Sequence, residues 1–562
     1  MSSDWWRGAT LYQIYPRSFA DANGDGVGDL AGVTAKLPYV ASLGVDGIWL
    51  SPFFTSPMRD FGYDVADHLG VDPLFGSGAD LDALLAEAHR LGLRVVIDQV
   101  WSHTAAEHPW FEESRASRSN AKADWYVWAD ARPDGSPPNN WQSWMGGPAW
   151  RWEPRRRQYH LHNFLPQMPD LNFHCPAVQH VVLDIAEHWL ARGVDGFRLD
   201  TANLYFHSRG LQDNPALPEG RRGDAPVLMQ QHLHNADQPE APAFFERLRA
   251  LMDQHGAGGR TRMAVAEIGG AEPLPTMLAY TRGAQRLHTA YSFAFLGQRP
   301  DATQLVRQLA PWGEGEGRHS WPSWAFSNHD APRVASRWGS GAAGAFAFGG
   351  RADAGAAALG ATPVTWMALL LALRGTVFLY QGDELGLPQS TLAFEDLRDP
   401  YGLANWPLNP GRDGCRTPFP WQAEAPQLGF SRAARSWLPV DPAHAPLAVD
   451  RQEADPASTL HATRHLLALR RAHAAMRLGE LQALVAEGDV LVLRRHHADD
   501  GTAGGTDTLL LAFNLGPAPA LVPWPAAAGA GGAVPLFSHA GARVEGQQLH
   551  LPPGAVLYAS LP

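Results

Sequence analysis

An arginine and an aspartate two positions apart, Arg198 and Asp200, stand in the short segment Gly196–Thr201. Residues i and i+2 of a strand point to the same face, so this pair is expected to lie in contact. A fixed cation keeps a neighbouring carboxylate ionised, which a nucleophilic aspartate needs. A purely structural ion pair is the alternative. The recurrence of carboxylates in similar settings favours chemistry, and those carboxylates are Asp98, Glu267 and Asp330.

Glu267 has different surroundings from Asp200, because it closes the apolar run Met263–Ala266. Apolar surroundings raise the pKa of a carboxyl group, which suits a residue that donates a proton. A lone glutamate at a strand end is more often a cap or a surface group. The joint occurrence of the acidic residues makes an acid/base role the better interpretation.

These residues are expected at strand ends. Short β-rich apolar runs alternate with longer helical patterns, such as Leu81–Leu91 and Val178–Arg192. Eight strands with helical crossovers over roughly 350–400 residues are typical of an α/β fold, the (β/α)8 TIM barrel. The predicted strands are Thr10–Tyr15, Gly47–Leu50, Arg94–Asp98, Gly196–Asp200, Met263–Glu267, Thr289–Phe293, Ser323–Ser327 and Thr376–Tyr380.

Two connections are too long for plain loops, and the pattern changes near Gly479 to short strands such as Val490–Arg494 and Thr508–Asn514. The first connection is aromatic- and Pro-rich without sustained helical period, which indicates an inserted domain after strand 3. Residues 339–360, almost all Gly and Ala, are predicted to form a mobile loop. The predicted parts are 1–103, first part of the barrel; 104–176, inserted domain; 177–478, second part, with a long insertion at about 387–455; and 479–562, antiparallel β domain.

Composition excludes several classes of function. The 562 residues exceed one compact core, and the net charge of -12 disfavours nucleic acid or an anionic membrane as a partner. The two cysteines form no disulfide framework, which favours a reducing compartment. The start of the chain has no apolar signal core, and no apolar run is long enough to span a bilayer. A cytoplasmic protein without a membrane partner is therefore expected.

Several motifs, in order and each at a predicted strand end, resemble the alpha-amylase family of glycoside hydrolases. The resemblance covers residues 5 to about 421. Within the family, the sequence is most similar to bacterial alpha-glucosidases and oligo-glucosidases. The motifs are Asp98–His103, Met168–Asn172, Gly196–Thr201, Ala266-Glu267, Ser327–Asp330 and Gly414–Pro418; Trp5–Gly8, Asp60–Asp64 and the Arg416 motif carry the narrower match.

The resemblance implies a retaining mechanism with Asp200 as nucleophile, Arg198 beside it, and Glu267 as acid/base. Such enzymes hold their two carboxyl groups about 5–5.5 Å apart. Asp330 resembles the third carboxylate of the family, which binds substrate hydroxyls and helps to distort the sugar. His103 and His329 resemble the histidines that hydrogen-bond the cleaved glucose.

Asp60 and Arg416 resemble the pair that closes the pocket behind the terminal glucose of the substrate. Only one sugar then fits beyond the cleaved bond, which implies an exo-acting glucosidase rather than an endo-amylase. The same resemblance places Tyr63 in a stacking position on this glucose and Phe164 in the pocket wall. An ordinary loop carboxylate is the alternative for Asp60.

Asp21, Asn23, Asp25 and Asp29 place oxygen ligands at alternate positions of one loop, as calcium loops do. The twelfth position is Gly32 rather than glutamate, so this is not a complete EF-hand. The family resemblance supports a structural Ca2+ or Mg2+ site here, with the Val27 carbonyl as a further ligand. A turn with solvated acids is the alternative. No organic cofactor is expected.

The predicted activity is release of glucose from short alpha-1,4 glucosides such as maltose, with transfer to alcohols as a side reaction. Thr201, directly after the nucleophile, carries the linkage prediction: in the resembling glucosidases Thr or Ala there accompanies alpha-1,4 preference. One alternative is an isomerase or phosphorylase acting on sucrose or trehalose. Another is a non-catalytic binding relative, disfavoured because all three acids are present. The sequence leaves a homodimer open.

Overall fold

The computed structural model shows a barrel of eight parallel strands. The strands are β1 (Thr10–Ile14), β2 (Gly47–Leu50), β3 (Arg94–Gln99), β4 (Gly196–Leu199), β5 (Met263–Ile268), β6 (Thr289–Ser292), β7 (Ser323–Ala325) and β8 (Thr376–Tyr380). The structure describes residues 4–223, 225–257, 259–270, 272–313, 317, 319–339, 360–498, 506–529 and 532–562.

The strands are hydrogen-bonded in the order β6-β5-β4-β3-β2-β1-β8-β7. An isolated parallel bridge between Ala290 and Pro322 joins β6 to β7, so the sheet is nearly closed. The strands are buried almost throughout, as expected for a parallel sheet covered by helices. The predicted fold class is confirmed, and the eight predicted strands coincide with the observed ones to within two residues at their ends.

A barrel helix of 8 to 17 residues follows each strand. Local signals set several ends: Asp29 caps α1 by accepting from the Gly32 amide, and Ser77 and Asp80 form a capping box on α2. The barrel helices are α1 (Leu30–Leu43), α2 (Gly78–Arg90), α3 (Pro176–Arg192), α4 (Ala241–Gly256), α5 (Leu274–Thr281), α6 (Ala302–Leu309), α7 (Pro363–Ala372) and α8 (Thr459–Ala472).

The connection between β3 and α3 contains a helix, Pro109–Ala116, which the sequence analysis did not predict. It is short, and Pro109 at its first position and the capping side chain of His108 define its start. Its Phe111 is buried. A three-stranded sheet lies in the same connection, with strands Trp128–Ala129, Gln158–Leu161 and Trp150–Glu153. The predicted domain limits stay a prediction.

Short elements fill the remaining loops. A strand pair follows β2, Phe54–Thr55 with Asp67–Val71. The predicted loop 339–360 lies outside the described residues except at its two ends. Short helices are Val334–Arg337, Pro400–Asn405, Val449–Ala454 and Ala474–Arg477; 3-10 turns include Pro16–Ser18, Ala202–Leu204, Glu219–Arg221, Pro226–Met229, Phe293–Phe295, Ala310–Trp312, Phe394–Asp396, Asp413–Cys415, Pro426–Gly429, Pro442–Leu447 and Ala526–Ala528.

The chain ends in two antiparallel sheets, which matches the predicted β domain. Arg495, fully buried, reaches from this part to the barrel and donates to the carbonyl of Ala372 at the end of α7, at 2.6 Å. Its strands are Glu480–Glu487, Val490–His497, Asp507–Asn514, Val556–Ser560 and Val534–His539 in the larger sheet, and Ala520–Pro523, Gln548–Leu551 and Arg543–Glu545 in the smaller.

Candidate active site

One buried guanidinium, that of Arg198 on β4, gathers three carboxylates at the carboxyl ends of β3, β4 and β5. Its Nη1 lies 2.8 Å from Oδ1 of Asp98 and 2.5 Å from Oδ1 of Asp200. Its Nη2 contacts Glu267 Oε1 and lies 3.0 Å from the hydroxyl of Tyr291. Strand register explains the geometry, because Asp98 is directly paired with Arg198. The structure therefore brings the predicted nucleophile and acid/base to one cation.

The backbone of Thr201 holds the Glu267 carboxylate directly beside the residue that follows Asp200. Thr201 is in the left-handed conformation, at φ 41° and ψ 45°, which is unfavourable for a β-branched residue. Its amide donates to Oε2 of Glu267 at 3.1 Å, and Tyr291 donates to Oε1 at 2.8 Å. Such strain costs on the order of 1–3 kcal/mol and concentrates at functional sites. The sequence analysis missed both this turn and Tyr291.

Burial controls the charge of these carboxyl groups. Burial raises the pKa of Asp200 to about 7, and Arg198 lowers it by a smaller amount. Burial likewise raises the pKa of Glu267 to about 7, again opposed by Arg198. Arg198 favours the ionised form of Asp200, as the sequence analysis expected, but burial, which that analysis did not weigh, has the larger effect on the pKa. Neighbouring carboxyls titrate as a group, so near neutral pH they can share a proton.

This shift predicts how stability depends on pH. A folded-state pKa of about 7 for Glu267, against an ordinary 4.5, means that the folded protein binds more protons between these values. The free energy of unfolding therefore falls as pH rises through this window. Glu267→Gln should raise the unfolding free energy by on the order of 1–3 kcal/mol at pH 8 and by little at pH 5. Urea unfolding at both pH values measures this, with the exposed Glu487→Gln as control. Equal differences at both pH values would contradict it.

Asp330 and His329 follow β7 and face the same centre. Burial alone would raise the pKa of Asp330, but His329, Arg416 and Arg412 together hold it well below the usual range. Nδ1 of His329 accepts from the amide of Gln13 at 2.7 Å. Burial lowers the pKa of His329 to about 3, so the ring is neutral. The site therefore holds a permanently ionised carboxylate beside the pair that can share a proton.

Asp60 does not pair with Arg416, as the sequence analysis expected, but with Arg412. Nη2 of Arg412 lies 2.5 Å from Oδ1 of Asp60, whereas Nη2 of Arg416 lies 2.7 Å from Oδ1 of Asp330. A single 3-10 turn, Asp413–Cys415, separates the two arginines and brings both to the site. The motif Gly414–Pro418 contains Arg416 but not Arg412, so the sequence analysis named Arg416 and missed Arg412.

Asp399, which the sequence analysis missed, fixes Arg412 from the long connection after β8. Its Oδ1 lies 2.8 Å from Nη2 of Arg412, and its Oδ2 accepts from Nε at 3.0 Å and from the Arg412 amide at 2.6 Å. Asp60, Asp399 and Arg412 are all buried. Charge-assisted, paired contacts of this kind set geometry firmly. No local pattern in the sequence marks Asp399.

Tyr63, His103 and Phe164 line the cavity that these charges border. The Tyr63 hydroxyl donates to Oδ2 of Asp98 at 3.1 Å, and its ring stacks on that of His329 with centroids 5.2 Å apart. The Phe164 ring centroid lies 5.3 Å from that of His103. Of the predicted substrate residues, Asp60, Tyr63, His103, Phe164 and Thr201 line one cavity of about 700 Å³, within the range of small-molecule sites. Arg198, His329 and Arg416 lie behind this lining, in contact with Asp200, Tyr63 and Asp330 respectively.

The cavity wall away from the carboxylates carries a group of apolar side chains among polar ones, which the sequence analysis did not foresee. The connection between β4 and α4 supplies most of this wall. At the mouth, Arg221 and Glu272 form an exposed ion pair at 2.7 Å. The contributing side chains are Trp144, Leu217, Val227, Leu228, Leu233 and Phe293.

The predicted cation loop is closed by its own hydrogen bonds. Asp21 accepts from the amides of Gly24 and Gly26, at 2.6 and 2.8 Å. Asp29 accepts from Asn23 and Gly32, and Asp25 from Val27 at 2.8 Å; Asn23 Oδ1 accepts from the Asp25 amide. The described residues contain no group of three His, Cys, Asp or Glu side chains placed to hold a metal ion. The loop supplies oxygen donors of the type that Ca2+ and Mg2+ take.

Among the helices of the described ranges, none has the length and apolar character needed to cross a bilayer.

The barrel and its site lie within the part of the chain that is similar to known proteins. Residues 13–479 match the alpha-amylase catalytic domain. The chain is 52% identical over 504 residues to a probable alpha-glucosidase of Rhizobium meliloti, with 88% of each chain covered. The solved structure of the alpha-glucosyl transfer enzyme XgtA is 48% identical, with TM-score 0.90 and 99% of both chains covered. Trehalulose synthase MutB of Pseudomonas mesoacidophila is 28% identical, with TM-score 0.84 and 99% of both chains covered. The carboxylates described above all lie within the matched residues.

Proposed function

The chain belongs to the alpha-amylase family of glycoside hydrolases, and we propose that it is an exo-acting, retaining alpha-glucosidase that releases glucose from short alpha-1,4 glucosides such as maltose. The observation that carries the proposal is the pair Asp200 and Glu267 on one guanidinium, in a cavity whose inner end is closed by buried charges. The curated relative named as a probable alpha-glucosidase supports it.

The chemistry needs two displacements at one carbon. In the first, Asp200 attacks the anomeric carbon while Glu267 gives its proton to the leaving oxygen, so that a glucosyl ester forms and the glycosidic bond breaks. In the second, ionised Glu267 takes a proton from water, which attacks the same carbon and frees Asp200. Asp330 holds the hydroxyls of the reacting glucose. His103 and His329 border the same glucose, and hydrogen bonds from their ring nitrogens to protein groups fix the two rings. Two inversions leave the product with the alpha configuration.

The closed inner end supports exo action. Asp60, Arg412 and Asp399 are buried and mutually hydrogen-bonded, so they form a fixed polar wall beyond the catalytic pair. A second sugar unit on that side would have to displace these paired charges, which is costly because each would lose its buried partner. The wall suits the hydroxyls of one terminal glucose instead.

We extend the proposal to glucosyl transfer, since the cavity wall away from the carboxylates carries apolar side chains where an acceptor would sit. An alcohol with an apolar body can take the place of water in the second displacement. The similar structure named as an alpha-glucosyl transfer enzyme supports this. The trehalulose synthase neighbour favours a second candidate, isomerisation of sucrose, in which the released sugar is itself the acceptor.

Product identification tests these proposals together. Maltose, isomaltose, sucrose and trehalose are incubated separately with the enzyme, and proton NMR follows the anomers at early times. The expected result is alpha-glucose from maltose first, with transfer products at high acceptor concentration. Initial beta-glucose would overturn retention, and a sucrose isomer as the main product would establish the second candidate.

Thr201→Val is expected to shift linkage preference towards alpha-1,6. The Thr201 side chain lies at the nucleophile, with Oγ1 3.3 Å from Oδ2 of Asp200, and a methyl in place of the hydroxyl reshapes the space for the leaving sugar. Changes of this size are worth about 1–3 kcal/mol in kcat/KM, enough to reorder substrates. The ratio of kcat/KM for isomaltose to maltose should rise in the variant. Wild type that cleaves isomaltose faster than maltose would contradict the assignment.

We propose that the Asp21–Asp29 loop binds one divalent cation and that the ion is structural. A ligand that binds only the folded state raises stability by mass action. Saturating Ca2+ or Mg2+ should therefore raise the Tm of the wild type but not of Asp25→Ala, with kcat little changed in both. Asp455→Ala, at an exposed carboxylate elsewhere, is the control and should respond like wild type. A wild-type Tm that stays the same with and without saturating Ca2+ or Mg2+ would contradict the proposed cation site.

A further inference from the structure

A chain of polar contacts joins His103 to the proposed nucleophile through Ser102 and Thr201. Ser102 Oγ lies 2.8 Å from Nδ1 of His103 and 3.0 Å from Oγ1 of Thr201. Thr201 Oγ1 in turn lies 3.3 Å from Oδ2 of Asp200. Ser102 is buried, so its hydroxyl forms its hydrogen bonds with these protein groups rather than with bulk water. The catalytic scheme above gives Ser102 no role.

His103 fixes the direction of the first bond. Its Nε2 lies 3.0 Å from the carbonyl oxygen of Tyr63, which can only accept, so Nε2 carries the ring proton. In a neutral ring, Nδ1 is then an acceptor. Burial lowers the pKa of His103 to about 4, which keeps the ring neutral at neutral pH. Ser102 therefore donates its single proton to His103.

The oxygen of Ser102 is left as an acceptor that faces Thr201. The Thr201 hydroxyl has one proton and two acceptors within reach, Ser102 at 3.0 Å and the Asp200 carboxylate at 3.3 Å. The shorter contact draws this proton towards Ser102. A hydrogen bond to an ionised carboxylate stabilises its charged form, so a proton drawn away leaves Asp200 more basic and a better nucleophile.

We propose that Ser102 is a positioning residue, which draws the Thr201 hydroxyl proton away from Asp200 and so keeps that carboxylate reactive. The inference rests on the proposed function, in which Asp200 is the nucleophile. The charged groups nearest Asp200, namely Arg198, Asp98, Glu267 and Asp330, are the same with and without the Ser102 hydroxyl. A change at Ser102 removes its hydrogen bonds to His103 and Thr201, and of these only the one to Thr201 leads on to Asp200.

The test is the pH dependence of kcat/KM in Ser102→Ala. In Ser102→Ala the Thr201 hydroxyl has no acceptor that competes with Asp200, so it donates fully to that carboxylate. The acid limb of the profile, where kcat/KM falls as pH is lowered, should therefore move to lower pH by roughly half a unit to one unit. The rate of glucosylation should fall several-fold. In a Thr201→Val background the same substitution should move nothing, because the hydroxyl that transmits the effect is absent. Ser102→Cys, a weaker acceptor, should shift the limb in the same direction by less.

Each result decides the proposal. Thermal unfolding of the variants shows whether a loss of activity reflects loss of the fold, and the limb position is read from the folded protein. If Ser102→Ala and Ser102→Cys are active and their acid limb stays at the wild-type position, the proposed role of Ser102 is overturned, while the proposed function stands. An equal shift in the Thr201→Val background also overturns it. Wild type that cleaves no alpha-glucoside overturns the proposed function, and this inference with it.

Discussion

Glu267→Gln is expected to lower kcat/KM for maltose by about 100- to 10,000-fold, the usual contribution of a general acid. Glu267 is the buried carboxyl whose pKa is raised to about 7, and it lies between Tyr291, Thr201 and Arg198. A glutamine can keep the contact with Tyr291 but cannot give a proton to the leaving oxygen. An aryl alpha-glucoside with an acidic phenol needs no such proton, so its first displacement should be largely retained. Steady-state kinetics on both substrates measure the difference.

The matched variant is Asp200→Asn, which should abolish activity on maltose and on the aryl glucoside alike, because both need the nucleophile. In Glu267→Gln the second displacement lacks its base, so a burst of phenol should precede slow turnover. Mass spectrometry should then find a glucosyl group on Asp200. A variant that loses both substrates equally and shows no burst would contradict the assignment of Glu267 as acid/base.

The sequence was sufficient for the parts of the site that depend on strand ends. Asp98, Asp200 and Glu267 each close an apolar segment, and parallel strands in a barrel bring their carboxyl ends to one face. The apolar patterns of the strands and of the helices between them were therefore enough to predict the barrel, and with it the shared face on which these carboxylates lie. Predicted helices such as Leu81–Leu91 and Val178–Arg192 likewise match α2 and α3 closely.

The sequence was insufficient where loops and burial decide. Asp399 reaches the site from a connection without periodicity, so neither hydropathy nor spacing identifies it. The choice between Arg412 and Arg416 depends on one 3-10 turn, whose backbone path no residue type dictates. The pKa of Asp200 was expected to follow its neighbour Arg198. It is governed instead by desolvation, which depends on everything that packs around the strand end.

Loss of the buried pair between Asp60 and Arg412 is expected to lower kcat/KM for maltose by about 100- to 1,000-fold, because breaking one partner of a buried ion pair costs several kcal/mol. Arg412→Lys keeps the charge but cannot hold Asp60 and Asp399 together, since a lysine offers no planar fork. Asp60→Asn removes the other partner. The terminal glucose then meets an unsatisfied wall in the ground state and in the transition state alike.

A double-mutant cycle separates this pairing from the one that the sequence suggested. If Arg412 is the partner, adding Arg412→Lys to Asp60→Asn should cost much less than Arg412→Lys alone, with a coupling of about 0.5–3 kcal/mol. Arg416→Lys is the matched control: its guanidinium binds Asp330 and the carbonyl of His329. It reaches Asp60 only through Asp330 and Arg412, so its coupling to Asp60→Asn should be clearly smaller than that of Arg412→Lys. Strong coupling of Asp60 to Arg416, with little coupling to Arg412, would contradict the pairing seen in the structure and favour the pair that the sequence analysis expected. Because the cycle compares kcat/KM values between folded variants, circular dichroism of each variant completes the measurement.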